Sequence, residues 1–486
     1  MRKHFIWVAM ALAIGFASCS DDDNNGSVEQ PKNYDYLNDS TATAQVDADG
    51  FYVCNEDWFG HSNGSVNFFK KSGDKYEATY RAYRAANPGE EFGATTQFAT
   101  IWGDNAYFMS KQGNRLVVAD AKTLKKKAVF TDLTTGGDGR AFVGVNDTKG
   151  YVGTSNGIEV FDIAQLKQGA AIADVSGQIG AMALSAGKVF AVSSTNLFII
   201  DTATDKVVKT VEGSYSTLTV GKDGTVWVAT DKLLGYDPTT LEVKKEVAYP
   251  DGGSISSSWG AWNAGGLCAS TQHNVLYWTS GKSAWSPNAI VKYDVDADKV
   301  SVITTLGVSD HDNKTSLAFY GAGLRVDPLT DELITNVIPS GWSFYFVNYI
   351  YIFDNNGTEK SHFEYFGDDG TADGYKGAAN GQYYWFPSVP FFQDANKPQI
   401  LLNGFKLKPG ETQTVDLNEK IVDYDNTAAS ILKSVKDESS LVEATLDGSK
   451  LTVKASSTEG EGEFSLSVVS NGVRKDKKIQ VVVVAE

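Results

Sequence analysis

The chain has 486 residues, 42% hydrophobic and 21% charged, enough to bury a sizeable core and to set aside a wholly disordered polymer. A net charge of −17 repels phosphate backbones, so nucleic acid is excluded as a partner. Three cysteines exclude a disulfide framework, while 47 Gly, 11 Pro and 12% aromatic residues favour an all-β protein of many short strands.

The first residues read as an address. Arg2, Lys3 and His4 precede an apolar run from Phe5 to Phe16, and small residues Ala17 and Ser18 come before Cys19. That order is the order of a secretory signal peptide. The run is too short to span a bilayer, which needs ~20 helical residues. Small residues set directly before a Cys resemble a bacterial lipobox, and the resemblance implies that residues 1–18 are cleaved and Cys19 is acylated. Residues 19–45, opening with Ser20-Asp21-Asp22-Asp23, lack apolar periodicity and read as a flexible acidic tether. An acidic run after the acylated Cys resembles the surface-export signal of Bacteroidetes lipoproteins. No later stretch is apolar enough to span, so the lipid would be the membrane anchor. Cys54 and Cys268 lie in apolar strand contexts and are expected to be buried free thiols.

From about residue 46 to 395 one phrase recurs. A short apolar strand and a polar turn lead to a second strand ending in Asp, then to a Lys-rich alternating run. The Asp positions are 120, 162, 201, 237, 294 and 354, and an Asp-less copy ends at Phe68-Phe69-Lys70, giving seven units. One unit contains 180–184, 189–192, 196–200 and 206–211, four short runs of the kind that form half-buried strands. Four strands per repeat, repeated seven times, define a seven-bladed β-propeller. Each strand-ending Asp can accept backbone N–H bonds from the turn that follows, which makes these residues turn formers rather than catalysts. The first unit lacks an innermost strand, and Tyr383 to Phe392 is expected to return and supply it, closing the ring. Residues 396–486 contain no Trp and carry alternating runs at 399–402, 412–417, 451–455, 464–469 and 479–484. They are expected to form a small Ig-like β-sandwich.

Catalytic signatures are lacking. The five His form no HExxH, no Gly-rich phosphate loop opens a helix, and no G-x-S-x-G elbow occurs. Asp294-Val-Asp-Ala-Asp298 alternates carboxylates but lacks the Gly and terminal Glu of an EF-hand, so it reads as a blade turn. No catalytic residue, metal site or cofactor is expected, and the protein is not expected to be an enzyme. The loops between second and third strands are more informative. They are short in blades two to five and long in blade one (55–64), blade six (280–288) and blade seven (340–348). Blades six, seven and one are consecutive around a closed ring. Their loops carry Trp58, Phe59, His61, Trp285, Trp342 and Phe344, and the connection into blade six adds Trp259 and Trp262. Loop aromatics among Ser, Asn and Gly supply stacking area and adaptable hydrogen bonds, so these eight residues are the expected ligand rim. The alternative is that the rings pack under their own loops. Trp102, Trp227, Trp278 and Trp385 are expected in core strands.

Gly50-Phe-Tyr-Val-Cys-Asn-Glu-Asp, Asn63-Gly-Ser-Val-Asn-Phe-Phe69 and Tyr384-Trp-Phe-Pro-Ser-Val-Pro-Phe-Phe392 resemble the YncE-like, surface-layer-type propeller lipoproteins of Bacteroidetes. Some members of that family are surface cobalamin-binding propellers of the BtuG type. The resemblance implies a seven-bladed fold on the cell surface that captures a corrinoid, as ligand rather than cofactor, and hands it to a TonB-dependent outer-membrane transporter. The alternative is a non-catalytic glycan- or protein-binding adhesion module.

Overall fold

The computed structural model describes residues 34–73, 75–250, 253–255, 265–281, 286–310, 312–340, 347–364 and 385–485. Seven four-stranded antiparallel sheets form the blades of a propeller. Blades two to seven take their strands in simple chain order from 94–130, 139–171, 179–212, 217–247, 267–305 and 317–364. Blade one combines Gly50–Asn55, Ser65–Ser72 and Lys75–Thr79 with Pro387–Phe392 as its innermost strand. The returning strand pairs antiparallel with the first, Tyr52 opposite Phe391 and Cys54 opposite Val389. The expected closure is therefore present, and it pairs an edge that would otherwise be open.

The blade pattern follows from what each strand touches. In blade four the middle strands Lys188–Ser193 and Asn196–Asp201 are buried nearly throughout, whereas the outer strand Lys206–Glu212 alternates exposed and half-buried residues. A middle strand packs against both neighbouring blades, so both of its faces are apolar, and period-two alternation survives only at the rim. Phe51, Val53 and Phe69 of blade one pack with Ile334, Ile350 and Ile352 of blade seven and with Trp385, joining last blade to first. Trp227, Trp278 and Trp385 are fully buried, as expected, although Trp385 precedes its strand. Cys54 and Cys268 are buried free thiols. One short helix, Ala82–Ala86, follows blade one. Among the described residues no helix is long and apolar enough to cross a membrane.

The C-terminal region is a small β-sandwich. One sheet has Gly404–Leu407, Val473–Val483, Gly460–Ser470 and Leu432–Asp437 in that order, and the other has Thr412–Asp416, Lys450–Ala455 and Val442–Asp447. Its core is built on Phe405, Leu451, Val453, Phe464, Leu466 and Val481. Residues 36–46, the end of the expected tether, run along this sandwich. Tyr36 accepts the Gly404 N–H through its carbonyl oxygen, Asp39 donates its N–H to Leu401 and pairs with Lys477, and Leu37 packs on the sandwich core. An extended strap satisfies its polar backbone against its neighbour and needs no apolar period of its own, so its order left no mark in the sequence pattern.

The sandwich lies under one end of the propeller. Arg474 makes a bidentate pair with Asp147, in the turn between the first two strands of blade three, at 2.7 and 3.1 Å. Trp102 was expected in the core but is only half-buried. It ends the innermost strand of blade two, lies against Gly144 and Gly472, and donates its indole N–H to the Asn146 carbonyl at 2.7 Å. A Cβ at Gly472 would come within 2.6 Å of this indole, so Gly is required there for the ring to seat.

Candidate functional site

The two ends of the propeller are set by chain direction. Each innermost strand runs from the end bearing the second-to-third-strand loops toward the end covered by the sandwich. In blade one, Pro387 pairs with Asn55 at the loop end and Phe392 with Phe51 at the sandwich end.

At the sandwich end the recurring Asp residues form turns. Asp120 accepts the Thr123 N–H at 2.9 Å, Asp162 that of Gln165 at 2.8 Å, and Asp201 that of Thr204 at 3.0 Å. Asp237 accepts from Thr240, Asp294 from Ala297 and Asp354 from Asn356, each at 2.9 Å. Hydrogen bonds to the charged form hold Asp201 and Asp237 below the usual carboxylate range. Asp294-Val-Asp-Ala-Asp298 is spent in the same way: Asp296 accepts from Asn274, and Asp298 pairs with Lys245 and accepts from the Tyr293 hydroxyl. The central channel widens at this end into a cavity of about 480 Å³, lined by the innermost strands and floored in part by Asp394, Asp425 and Asn471.

The loop end is built differently. Directly after Gly50–Asn55, Glu56 and Asp57 turn inward and are buried. Glu56 accepts hydrogen bonds from the Gln97 and Tyr320 side chains, and its Oε1 has no partner among the described residues. Burial pushes its pKa up to about 8, against those two hydrogen bonds and the charge of Lys111. Lys111 in turn senses Asp138 and Arg140. The buried Arg140 guanidinium donates to Asp138 at 3.1 Å and to Gln178 at 2.9 Å. Asn336 and Asn348 of blade seven are fully buried, and neither amide group has a hydrogen-bond partner among the described residues.

The backbone is irregular here as well. Asp57, Thr95 and Phe386 hold positive φ of 53°, 56° and 45°. Such conformations cost about 1–3 kcal/mol each and persist where the surroundings enforce them. The innermost strands of blades two, three, four and seven shift register against their neighbours, the last across Phe319 to Leu324. Bulges of this kind re-aim side chains beside binding sites.

Of the eight expected rim residues, Trp58, Phe59 and His61 are described, and they lie together at this mouth. Trp58 packs on Tyr320, Ile338 and Phe386, and its ring lies tilted at 38° against that of His61 with 4.0 Å between centroids. Phe59 is 52% exposed, the one aromatic among the exposed large hydrophobic side chains of the described residues, with Lys111 Nζ 5.3 Å from its ring centre. Trp259, Trp262, Trp285, Trp342 and Phe344 lie outside the described residues, as does Cys19. The described flanks of two long loops do meet: Ser286 of blade six and Ser340 of blade seven share a hydrogen bond at 3.0 Å. Blade seven reaches blade one through Tyr320 and Glu56. Sequence reasoning missed Glu56, Lys111, Arg140, Asn336 and Asn348. Their signal was polarity at the loop-facing ends of otherwise apolar strands or, for Asn336, in the middle of one.

These features define a seven-bladed β-propeller with a polar, aromatic-edged mouth and a C-terminal β-sandwich at the opposite end. A family model described as a domain of unknown function, DUF5074, matches residues 49–393, and the chain belongs to that family. No curated protein sequence matches the chain significantly. Among solved structures it is similar to a quinoprotein alcohol dehydrogenase-like protein of Bacteroides thetaiotaomicron, at 16% identity and a TM-score of 0.51 over 71% of this chain and 78% of that one. It is also similar to the extracellular domain of a hybrid two-component system from the same organism, at 11% identity and a TM-score of 0.41 over 80% of this chain and 55% of that one. At such identity the first likeness describes the fold alone.

Proposed function

We propose that this protein is a non-catalytic, lipid-anchored binding propeller of the outer cell surface. It captures a bulky polar nutrient at its mouth, with cobalamin or a related corrinoid as the best single candidate, and passes it to a TonB-dependent outer-membrane transporter. One observation carries the reading: the buried Glu56 and Arg140 and the half-buried Lys111 stand with the aromatic edge of Trp58, Phe59 and His61 at the end away from the sandwich. A large ligand bearing amides around a flat ring needs both stacking surface and fixed polar partners, and such sites are concave with few polar groups. Residues 36–46 run along the sandwich, so a tether from Cys19 would join the protein at the end opposite the mouth. The resemblance at residues 50–57, 63–69 and 384–392 supports the corrinoid and the transporter.

The test is calorimetry of the chain lacking residues 1–25 with cobalamin, alongside Phe59→Ala. Binding by the parent and about tenfold weaker binding by the variant, ~1.4 kcal/mol, are expected. No heat and no thermal shift with any corrinoid would remove the ligand, and glycan-array binding in that case would make the protein an adhesion module.

A further inference from the structure

We propose that Asp394, Asp423 and Asp425 bind a divalent cation of the calcium class at the junction of propeller and sandwich. The site is distinct from the mouth and does not depend on the ligand proposed there. Asp394 follows the ring-closing strand Pro387–Phe392, and Asp423 and Asp425 belong to a loop of the sandwich. One oxygen from each carboxylate lies within 4.8 Å of the others. Calcium binds oxygen at about 2.3–2.6 Å, so oxygens on opposite sides of one ion stand up to about 5 Å apart, which is the spread seen. The donors are all oxygen, which suits a hard cation rather than zinc or copper.

The second observation is what these carboxylates lack. Asp423 and Asp425 are 8% and 7% exposed, and Asp423 Oδ2 and Asp425 Oδ1 are buried with no hydrogen-bond partner among the described residues, although the Ser470 hydroxyl also acts on the Asp423 carboxylate. The remaining oxygens are held in place. Asp423 Oδ1 accepts the Asp425 N–H at 2.9 Å, Asp425 Oδ2 accepts the Asn396 N–H at 2.5 Å, and Asp394 accepts from the Asn471 amide at 3.1 Å. No Lys or Arg forms an ion pair with any of the three among the described residues. Burial is the first cause that raises all three pKa values; the charges of Asp423 and Asp425 add to it at Asp394, which reaches about 7 despite Lys397, and those of Asp423 and Asp327 add to it at Asp425, which reaches about 6. Two buried carboxylates and a half-buried third that converge without an ion pair, with the charge of Lys397 acting on Asp394 from beyond pairing distance, are costly, and a bound cation offsets that cost. Asp394 and Asp425 also line the channel cavity, from which water could complete the coordination shell.

A cation here would tie the strand that closes the ring to the domain beneath it. The experiment uses the chelator-stripped chain, with calcium added from 10 μM to 10 mM and followed by calorimetry and thermal unfolding. Saturating calcium should give measurable heat and raise the midpoint by about 5 °C, because a ligand that binds only the folded state stabilises it. Asp425→Asn should abolish both effects, and Asp296→Asn, in a blade turn, should leave both intact. Trp102 lies against Gly472, next to Asn471, so bound terbium should luminesce on indole excitation and lose most of that signal in Trp102→Phe. Absence of heat, midpoint shift and terbium signal in the folded parent would overturn the proposal. So would a calcium response that survives in Asp425→Asn.

Discussion

The repeated turn carboxylates at one end of the propeller and the solitary Glu56 at the other behave in opposite ways. At the sandwich end, Asp201 and Asp237 sit in open turns, accept backbone N–H groups from the next few residues, and titrate below the usual range. At the loop end, Glu56 is buried, keeps one oxygen unpartnered among the described residues, and titrates near 8. The first arrangement stabilises a local fold and is repeated in six blades. The second costs stability, is no part of the repeated turn, and stands where the second-to-third-strand loops begin to lengthen. Polar groups that weaken a fold and are not repeated with it mark function more reliably than groups the repeat multiplies.

Variants at the two ends should break or sharpen this contrast. The largest effect is expected from Trp102→Ala, which removes an indole set between two glycines and its hydrogen bond to Asn146. A loss of about 2–3 kcal/mol in urea unfolding is expected, somewhat under the usual cost for a fully buried Trp. Ligand binding at the far end should be unchanged, and a binding defect would show that the ends are coupled. Asp237→Ala should cost about 1 kcal/mol, the usual worth of a side chain capping adjacent N–H groups, again without effect at the mouth. A stability unchanged within 0.2 kcal/mol, read as roughly the error of the method, would deny the turn role.

Glu56 should give the most diagnostic change, because it is read across pH rather than at one pH. The folded carboxyl titrates near 8 and the unfolded one near 4.5, so the folded state holds an extra proton between those values. Its contribution to stability is therefore greatest below about 4.5, declines as pH rises, and levels off above 8. Glu56→Gln imitates the protonated form and should flatten that slope between pH 5 and 8.5 while leaving stability at pH 5 nearly unaltered. An identical slope in parent and variant would place the titration elsewhere.

The fold was largely legible in the sequence because a propeller is one supersecondary unit written seven times. Each copy carried its own punctuation: an apolar run, an Asp that closes on its own turn, and a charged outer strand. Even the missing first strand could be read, since blade one began at Gly50 without it and an unassigned apolar run remained at 383–392, within which the strand is Pro387–Phe392. The middle strands hid their register, because burial on both faces erases alternation. In the sandwich, Gly404–Leu407, Leu432–Asp437 and Val442–Asp447 were passed over, two of them broken by charges on the outer face.

By itself, then, the sequence determined the class of fold, the number of blades, the closing strand and the side on which loops grow, because each depends on residues near one another in the chain. The tertiary structure alone decided which end the sandwich covers, that residues 36–46 strap onto it, and which polar side chains meet. Glu56 with Tyr320, Arg474 with Asp147, and Asp394 with Asp425 are neighbours only because the ring closes and the sandwich docks. No local pattern records a pairing between residues that distant, since the energy of such a contact appears only once the whole chain is folded.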